Sequence, residues 1–278
     1  MTTDIMQLKN KAAVLIASCD KYSDLWGPFF TLFHRFWRDC PLDIYFLSNK
    51  FGVDTQVVKN ILVGEDVSWS DNLLKGIGRI EQEYVLLFLD DLFLYDYADT
   101  NGFLEVLDWI LEYRPACVRM NRYVDNFIGS QGPDKSFSSL VGVISKGLPY
   151  RVSSVLTFWR ADILRDILRG GESIWEFEIY GTQRADARDG FYSVLRNYFP
   201  VINGVIGGKW RSAAVKKLEW LGVEIDRGRR QKMTPGQTAM LYLKAKRSLL
   251  LNFFAPKHRR KIKDFFSGGR PIAGGLKR

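Results

Sequence analysis

The sequence predicts an α/β fold built on a mainly parallel sheet, and three observations point there. Strand-like apolar runs alternate with helix-like runs through the first 120 residues, the order of βαβ units. The run at residues 84–89 is apolar throughout, as a strand buried on both faces requires. That run then breaks at two adjacent carboxylates, Asp90 and Asp91, before Leu92-Phe93-Leu94 resume it. In open α/β sheets ligands bind beyond the carboxyl ends of the strands, so two acids at such an end mark a candidate site.

In chain order, residues 11–18 (Lys-Ala-Ala-Val-Leu-Ile-Ala-Ser) read as the first strand and residues 26–37 as an aromatic-rich helix. Residues 42–48 give a second strand and residues 60–63 a short third one. Residues 71–82 read as a helix, because Leu73, Leu74, Ile77 and Ile80 fall at helical spacing. After the acidic strand come a helix at 102–113 and a strand at 117–120. Residues 125–139 are rich in Gly, Ser, Asp and Pro and read as a long loop of the kind that carries function. Beyond it the pattern predicts a strand at 151–159, a helix at 161–168 ended by Gly170-Gly171, a helix at 186–197 and a helix at 211–221. There is no internal repeat.

The chain has 278 residues, 46% of them apolar, enough for a sizeable core. No stretch approaches 18 uninterrupted apolar residues, and the first residues lack the basic start and apolar centre of a secretory signal. Cys19, Cys40 and Cys117 are odd in number and widely spaced, which excludes a disulfide framework and the common zinc patterns and suits a reducing, cytoplasmic compartment. With His34 and His258 as the only histidines, a histidine-dependent triad is excluded as the chemistry. The glycine-rich stretch 204–210 lacks the Gly-x4-Gly-Lys-Ser/Thr spacing of a phosphate loop, and Trp210 stands where the metal-binding hydroxyl would be.

Two neighbouring carboxylates at the end of a buried strand need a cation, since leaving them uncompensated costs several kcal/mol or forces one to take up a proton. A divalent metal is the simplest one, and it implies a phosphate-bearing ligand. The alternative is a pair of turn aspartates that caps the next element.

Together these residues resemble the GT-A fold of nucleotide-sugar glycosyltransferases, in particular bacterial enzymes of surface-polysaccharide assembly. The resemblance is carried by Ala-Ser-Cys-Asp-Lys-Tyr-Ser-Asp-Leu-Trp at 17–26, Phe-Leu-Ser-Asn at 46–49, Trp-Ser-Asp at 69–71, Phe-Leu-Asp-Asp at 88–91, Trp-Glu-Phe-Glu at 175–178 and Asn-Gly-Val-Ile-Gly-Gly-Lys-Trp at 203–210. It covers roughly residues 11–226. It implies a Rossmann-like catalytic domain (residues 1–236), a UDP-sugar donor, and Mn2+ or Mg2+ held by Asp90 and Asp91. The usual Asp-x-Asp motif is here Leu89-Asp90-Asp91, with an apolar first position. By the same resemblance Ser18, Asp20 and Tyr22 border the nucleotide, Asp71 bonds the base or ribose, and Arg79 reaches the diphosphate. Asp71 has a second role open to it, at the start of its helix. Lys209 and Arg211 either close over the departing phosphates or are plain surface cations. Glu176 and Glu178 are the candidates for the base that takes the acceptor proton; on a strand, residues two apart share a face, so both would face the cleft unless they are solvated glutamates of an edge strand. Asp189 is the reserve.

Residues 237–278 form a separate basic tail, expected to be helical and amphipathic. Residues 244–278 hold eleven Lys or Arg and one acid, so their charge of +10 exceeds the +9 of the whole chain and leaves the body near neutral. Ile262, Phe265 and Phe266 fall at helical spacing among those cations, a pattern suited to an anionic membrane surface, the other reading being a solvated, disordered end. Nucleic acid is not the expected polyanion, because the body is near neutral and carries no nucleic-acid module. The expectation is therefore a glycosyltransferase peripheral to the inner face of the cell membrane. Other classes compatible with the sequence are a metal-dependent phosphotransfer or phosphatase domain and a non-catalytic tethered sheet domain. The sugar, the acceptor and the oligomeric state are not legible in the sequence.

Overall fold

The computed structural model describes residues 5–122, 138–241 and 243. Most of the expected loop at 125–139 and the tail from 244 onward lie outside the described residues. The fold class is the one expected: α/β, Rossmann-like, with an eight-stranded mixed sheet flanked by helices. The first layer runs α1 (Ile5–Lys11), β1 (Ala12–Ala17), α2 (Ser23–Phe36), β2 (Asp43–Ser48), β3 (Val58–Leu62), α3 (Trp69–Ile77), β4 (Tyr84–Leu89), β5 (Leu92–Leu94), α4 (Thr100–Tyr113) and β6 (Cys117–Arg119). The rest runs β7 (Val141–Val143), β8 (Thr157–Arg160), α5 (Ala161–Ile167), α6 (Ile174–Ala185), β9 (Phe191–Val194), β10 (Val201–Asn203), β11 (Val205–Ile206), β12 (Lys209–Trp210) and α7 (Ser212–Trp220).

The strand order is β3-β2-β1-β4-β8-β6-β9-β7. β1 pairs in parallel with β2 and β4, and β2 with β3, so the carboxyl ends of four strands share one rim. β8 is antiparallel to both β4 and β6, and β7 is antiparallel to β9. β1 and β4 are central, and all six residues of each are buried, which is why they read as unbroken apolar runs. The aromatic stripe of α2 packs onto them: Phe29 and Phe33 meet Phe88 edge to face, and Trp26 meets Phe46 in the same way. These aromatics are core.

Three elements depart from the sequence reading. Residues 151–156 are not strand; β8 begins only at Thr157. The segment 186–197 is not a helix but holds β9, which pairs in parallel with β6. Its entry is set by Gly190 at φ +87°, whose carbonyl accepts the Ala116 and Cys117 amides. Finally, 175–178 is not a strand but the first turn of α6, started by a capping box between Ser173 and Glu176.

Candidate functional site

Asp90 and Asp91 form the turn between β4 and β5, on the rim shared by β1, β2 and β3. Both are turn residues, as the alternative reading has them, but they are 6% and 2% exposed, so the turn is a buried one. Ser18, the first residue past β1, donates from Oγ to Asp90 Oδ2 at 2.5 Å and accepts the Trp26 indole N–H at 2.7 Å. The indole fixes which way the Ser18 hydroxyl points. The Asp91 carbonyl accepts the Gly204 amide at 2.7 Å, while β5 pairs antiparallel with β10. This draws Asn203-Gly204 against the acidic turn.

The loops after β1 and β2 are built on each other. The Asp20 carboxylate accepts the amides of Asn49, Lys50 and Phe51 at 3.1–3.4 Å, and the Asp20 amide donates to Asn49 Oδ1 at 3.1 Å. Asp20 therefore shapes the mouth of the rim. Tyr22 is buried below it. Asp71 lies in the first turn of α3, whose N-cap is Ser68. Its carboxylate accepts the Ser68 hydroxyl at 2.6 Å and the Gly171 amide at 2.8 Å, and these two bonds hold its pKa below the ordinary value. Asp71 thus ties α3 to the entry of α6. Arg79 is exposed beyond the end of α3 and donates to the carbonyl of Leu62, the last residue of the edge strand β3, three strands from β4.

The helix at 174–185 separates the two glutamates. Residues two apart lie about 200° apart around a helix of 3.6 residues per turn, so the shared strand face does not exist. Glu176 accepts the Ser173 amide at 2.8 Å and hydroxyl at 2.7 Å, bonds that lower its pKa from the ordinary value. Glu178 is 9% exposed and accepts the Ser154 amide at 2.9 Å and hydroxyl at 2.7 Å, with Ser153 Oγ at 3.4 Å. Because Leu87 faces Thr157 in the antiparallel β4–β8 pair, the residues just before Thr157 stand at the same end of the sheet as Asp90. Glu178 is accordingly the glutamate tied to the rim. Asp189 precedes β9, which runs parallel to β6 and β4, so it stands at the opposite end; it is exposed and paired with Lys146 at 2.9 Å.

The glycine-rich stretch is a hairpin, β11–β12, with Gly207 and Gly208 at positive φ in its turn. Lys209 opens β12 and is half-buried, and Arg211 donates its amide to the Gly204 carbonyl and Nη1 to the Asn203 carbonyl. Trp210 stacks on Phe93 with ring centroids 5.8 Å apart. A Cβ on Gly204 would lie 2.1 Å from the Phe93 ring, so only glycine lets this strand pass the acidic turn.

Sequence reasoning missed the segment that follows α7. Residues 226–233 return to the rim: the Trp210 amide donates to Gln231, and the Met233 amide to Trp210. Arg229 Nη2 donates to the Asp20 carbonyl at 3.3 Å. Arg230 forks onto Asp24 with Nε to Oδ2 at 2.9 Å and Nη2 to Oδ1 at 3.0 Å. The only sequence signal was the density of arginines at 227–230, which resembles a solvated face.

The rim thus holds two buried carboxylates backed by a serine and one buried glutamate at the same end of the sheet, with Lys21 in the turn after β1, Lys209 and Arg211 at the β11–β12 hairpin, and Arg229 on the returning segment. Among the described residues no group of three or more His, Cys, Asp or Glu is placed to hold a metal ion. Two carboxylates offer hard oxygen donors, which fits Mg2+ or Mn2+ completing its shell with ligand phosphates and water, and does not fit an all-protein cage. Surface hollows of about 530 Å³ beside Arg38, Asp39 and Tyr97, and of about 800 Å³ beside Gln7, Lys11 and Glu83, lie away from the rim. Among the described residues no helix is long and apolar enough to cross a membrane.

No protein-family model matches the sequence, and no curated protein matches it. Among solved structures, S. aureus TarS 1-349 is 12% identical with a TM-score of 0.44, over 68% of this chain and 59% of that one. TarS 1-349 in complex with UDP is 12% identical with a TM-score of 0.46 over the same shares. The bifunctional IspDF from Campylobacter jejuni is 12% identical with a TM-score of 0.36, over 64% of this chain and 47% of that one. The chain spans less than two thirds of each of these structures, and likeness at this level says nothing about what the chain binds.

Proposed function

We propose that the chain is a glycosyltransferase that moves a sugar from a nucleoside-diphosphate donor, a UDP-sugar, to a glycan or lipid-linked glycan acceptor. The observation that carries this reading is the buried Asp90–Asp91 turn on the rim of four parallel strand ends, with cationic loops around it. Departure of a nucleoside diphosphate develops negative charge, and a divalent cation held by Asp90 and Asp91 would stabilise it. The loop after β1, shaped by Asp20, borders the nucleotide. Ser18 holds Asp90 in place through a hydroxyl that is itself oriented by Trp26. Lys209 and Arg211 face the phosphates as point charges.

Glu178 is the base. The acceptor hydroxyl oxygen forms its bond to the anomeric carbon as the bond from that carbon to the diphosphate breaks, and Glu178 takes the acceptor proton. A single displacement of this kind inverts the anomeric configuration. Glu176 has no part in the transfer, because its carboxylate serves the capping box. Calorimetry with UDP, GDP and CDP, each with and without Mn2+, tests the reading: metal-dependent binding of one of them is expected, and binding of none overturns it.

The same reading takes the acceptor to be a surface glycan assembled at a membrane, with the basic tail attaching the protein to anionic lipid. Flotation with vesicles containing phosphatidylglycerol should carry the full chain but not a chain ending at residue 236. Equal behaviour of the two discards membrane attachment and leaves the transfer chemistry untouched.

A further inference from the structure

The Arg230 guanidinium donates four hydrogen bonds near the rim. It is 8% exposed, and the Asp24 carboxylate it grips is 1% exposed. Beyond the two bonds to Asp24, its Nη1 donates to the Gly208 carbonyl at 3.1 Å and its Nη2 to the Lys21 carbonyl at 3.5 Å. Its plane also lies over the Tyr22 ring, with Cζ 4.3 Å from the centroid. One side chain therefore joins three separate pieces of the rim: the loop after β1 with the first turn of α2 (Lys21, Tyr22, Asp24), the glycine turn of the β11–β12 hairpin, and the returning segment 226–233. Asp24 and Arg230 lie 206 residues apart in the chain.

A planar fork suits this junction because it bonds two carboxylate oxygens and two carbonyls in one plane, which an ammonium does not. What the junction holds is as telling as how. Lys21 is on one side of it, Lys209 follows the glycine turn directly, and Arg229 precedes Arg230 and reaches the Asp20 carbonyl. All three cations are more exposed than Arg230 itself. Arg229 Nε also lies 3.9 Å from the Asp24 carboxylate, and Lys21 pairs with Asp66 at 3.2 Å, so the buried arginine sits where it fixes the spacing of these cations.

We infer that Arg230, held on Asp24, is a positioning residue that latches the 226–233 segment and the glycine turn to the loop after β1, and so sets the geometry of the cations at the diphosphate end of the donor site. This rests on the proposed glycosyltransferase reading for its ligand, but the latch is a claim about this chain's own residues. It is not a catalytic residue: it touches no reacting atom and acts through Lys21, Lys209 and Arg229.

Removing one partner alone would strand a buried charge, so the test replaces both with apolar groups of similar volume, Asp24→Leu with Arg230→Met. The probe is UDP with Mn2+, and trypsin cleavage at Arg229 and Lys232 is the independent readout. The double variant should keep its cooperative melting, bind UDP at least tenfold more weakly, and be cut in the 226–233 segment at least tenfold faster than the parent. Arg230→Lys keeps the charge but loses the fork and should fall between the two. A double variant that binds UDP as tightly and resists trypsin as well as the parent overturns the latch while leaving the proposed function standing. If the double variant does not fold, unchanged UDP affinity in Arg230→Lys overturns it equally. A parent protein that binds no nucleoside diphosphate removes the reading on which the ligand rests, an outcome distinct from either of these.

Discussion

The chain carries two pairs of acids near one end of its sheet, and the backbone beneath them gives the pairs different lives. Asp90 and Asp91 occupy a turn between two strands, where adjacent residues are both held at the rim and both are buried. Glu176 and Glu178 occupy the first turns of a helix, where a spacing of two turns them away from each other. In the turn the acids stay a pair. On the helix they are divided: one closes a capping box, and the other is drawn into a pocket of serine donors beside the strand end. The same side-chain chemistry at the same end of a sheet thus leaves two buried carboxylates side by side in one case and a single buried glutamate in the other.

The sharpest way to break this contrast is at the turn. On the proposed function, Asp91→Ala should abolish Mn2+-dependent binding of the nucleoside diphosphate and lower the proposed transferase activity by about a thousandfold or more, since a metal at a departing phosphate contributes several kcal/mol. Calorimetry with and without Mn2+ measures the first and product formation the second. Retained metal-dependent binding in Asp91→Ala would move the site elsewhere.

At the helix the expected effect is on kcat. Glu178→Gln keeps an oxygen for the Ser154 amide and hydroxyl but removes the proton acceptor, so kcat should fall by about a hundredfold or more while UDP affinity stays within twofold. Equal loss of affinity would mean that Glu178 holds donor and does not take a proton. Gly204→Ala probes the contact between the acidic turn with its strand β5 and the segment that leads into the β11–β12 hairpin. Its new Cβ would meet the Phe93 ring at 2.1 Å, and overpacking of this kind should lower stability by about 2–3 kcal/mol, read by chemical denaturation.

How far the sequence shows all this depends on whether the interaction is local. β1 and β4 are legible because burial on both faces demands an apolar residue at every position, which needs no knowledge of partners. The start of the helix at 174–185 is marked by Ser173 and Glu176 three residues apart, a spacing that the strand reading passes over because Trp175, Glu176, Phe177 and Glu178 alternate as an edge strand does. β9 was obscured by the charges before Gly190, though Phe191-Tyr192-Ser193-Val194 has strand composition. The Asp24–Arg230 pair was not legible, because nothing local marks an arginine whose partner is 206 residues away. Arg79, which the resemblance carries to the diphosphate, bonds the Leu62 carbonyl of the edge strand β3, a contact that nothing beside it in the sequence marks.

The smallest expected effect separates the two glutamates by acid titration. Hydrogen bonds from the Ser173 amide and hydroxyl hold the Glu176 pKa below its ordinary value, so its ionised form is favoured in the folded state. A carboxylate depressed in this way adds stability that is complete above its unfolded pKa, about 4.3, and is lost as pH falls through the lower folded value. Glu176→Gln can still close a capping box, with an amide in place of the carboxylate, so at neutral pH it should cost about 1 kcal/mol or less. Its melting temperature should then fall less steeply than that of the parent as the pH is taken below about 4.3. Asp71, whose pKa is depressed through Ser68 and Gly171, titrates in the same direction in both proteins, so the difference between the two curves isolates Glu176. Transferase activity of Glu176→Gln at neutral pH should stay within twofold of the parent, against the large loss in Glu178→Gln. A matching loss in both variants would restore the pair of glutamates to one shared site and erase the contrast with the acidic turn.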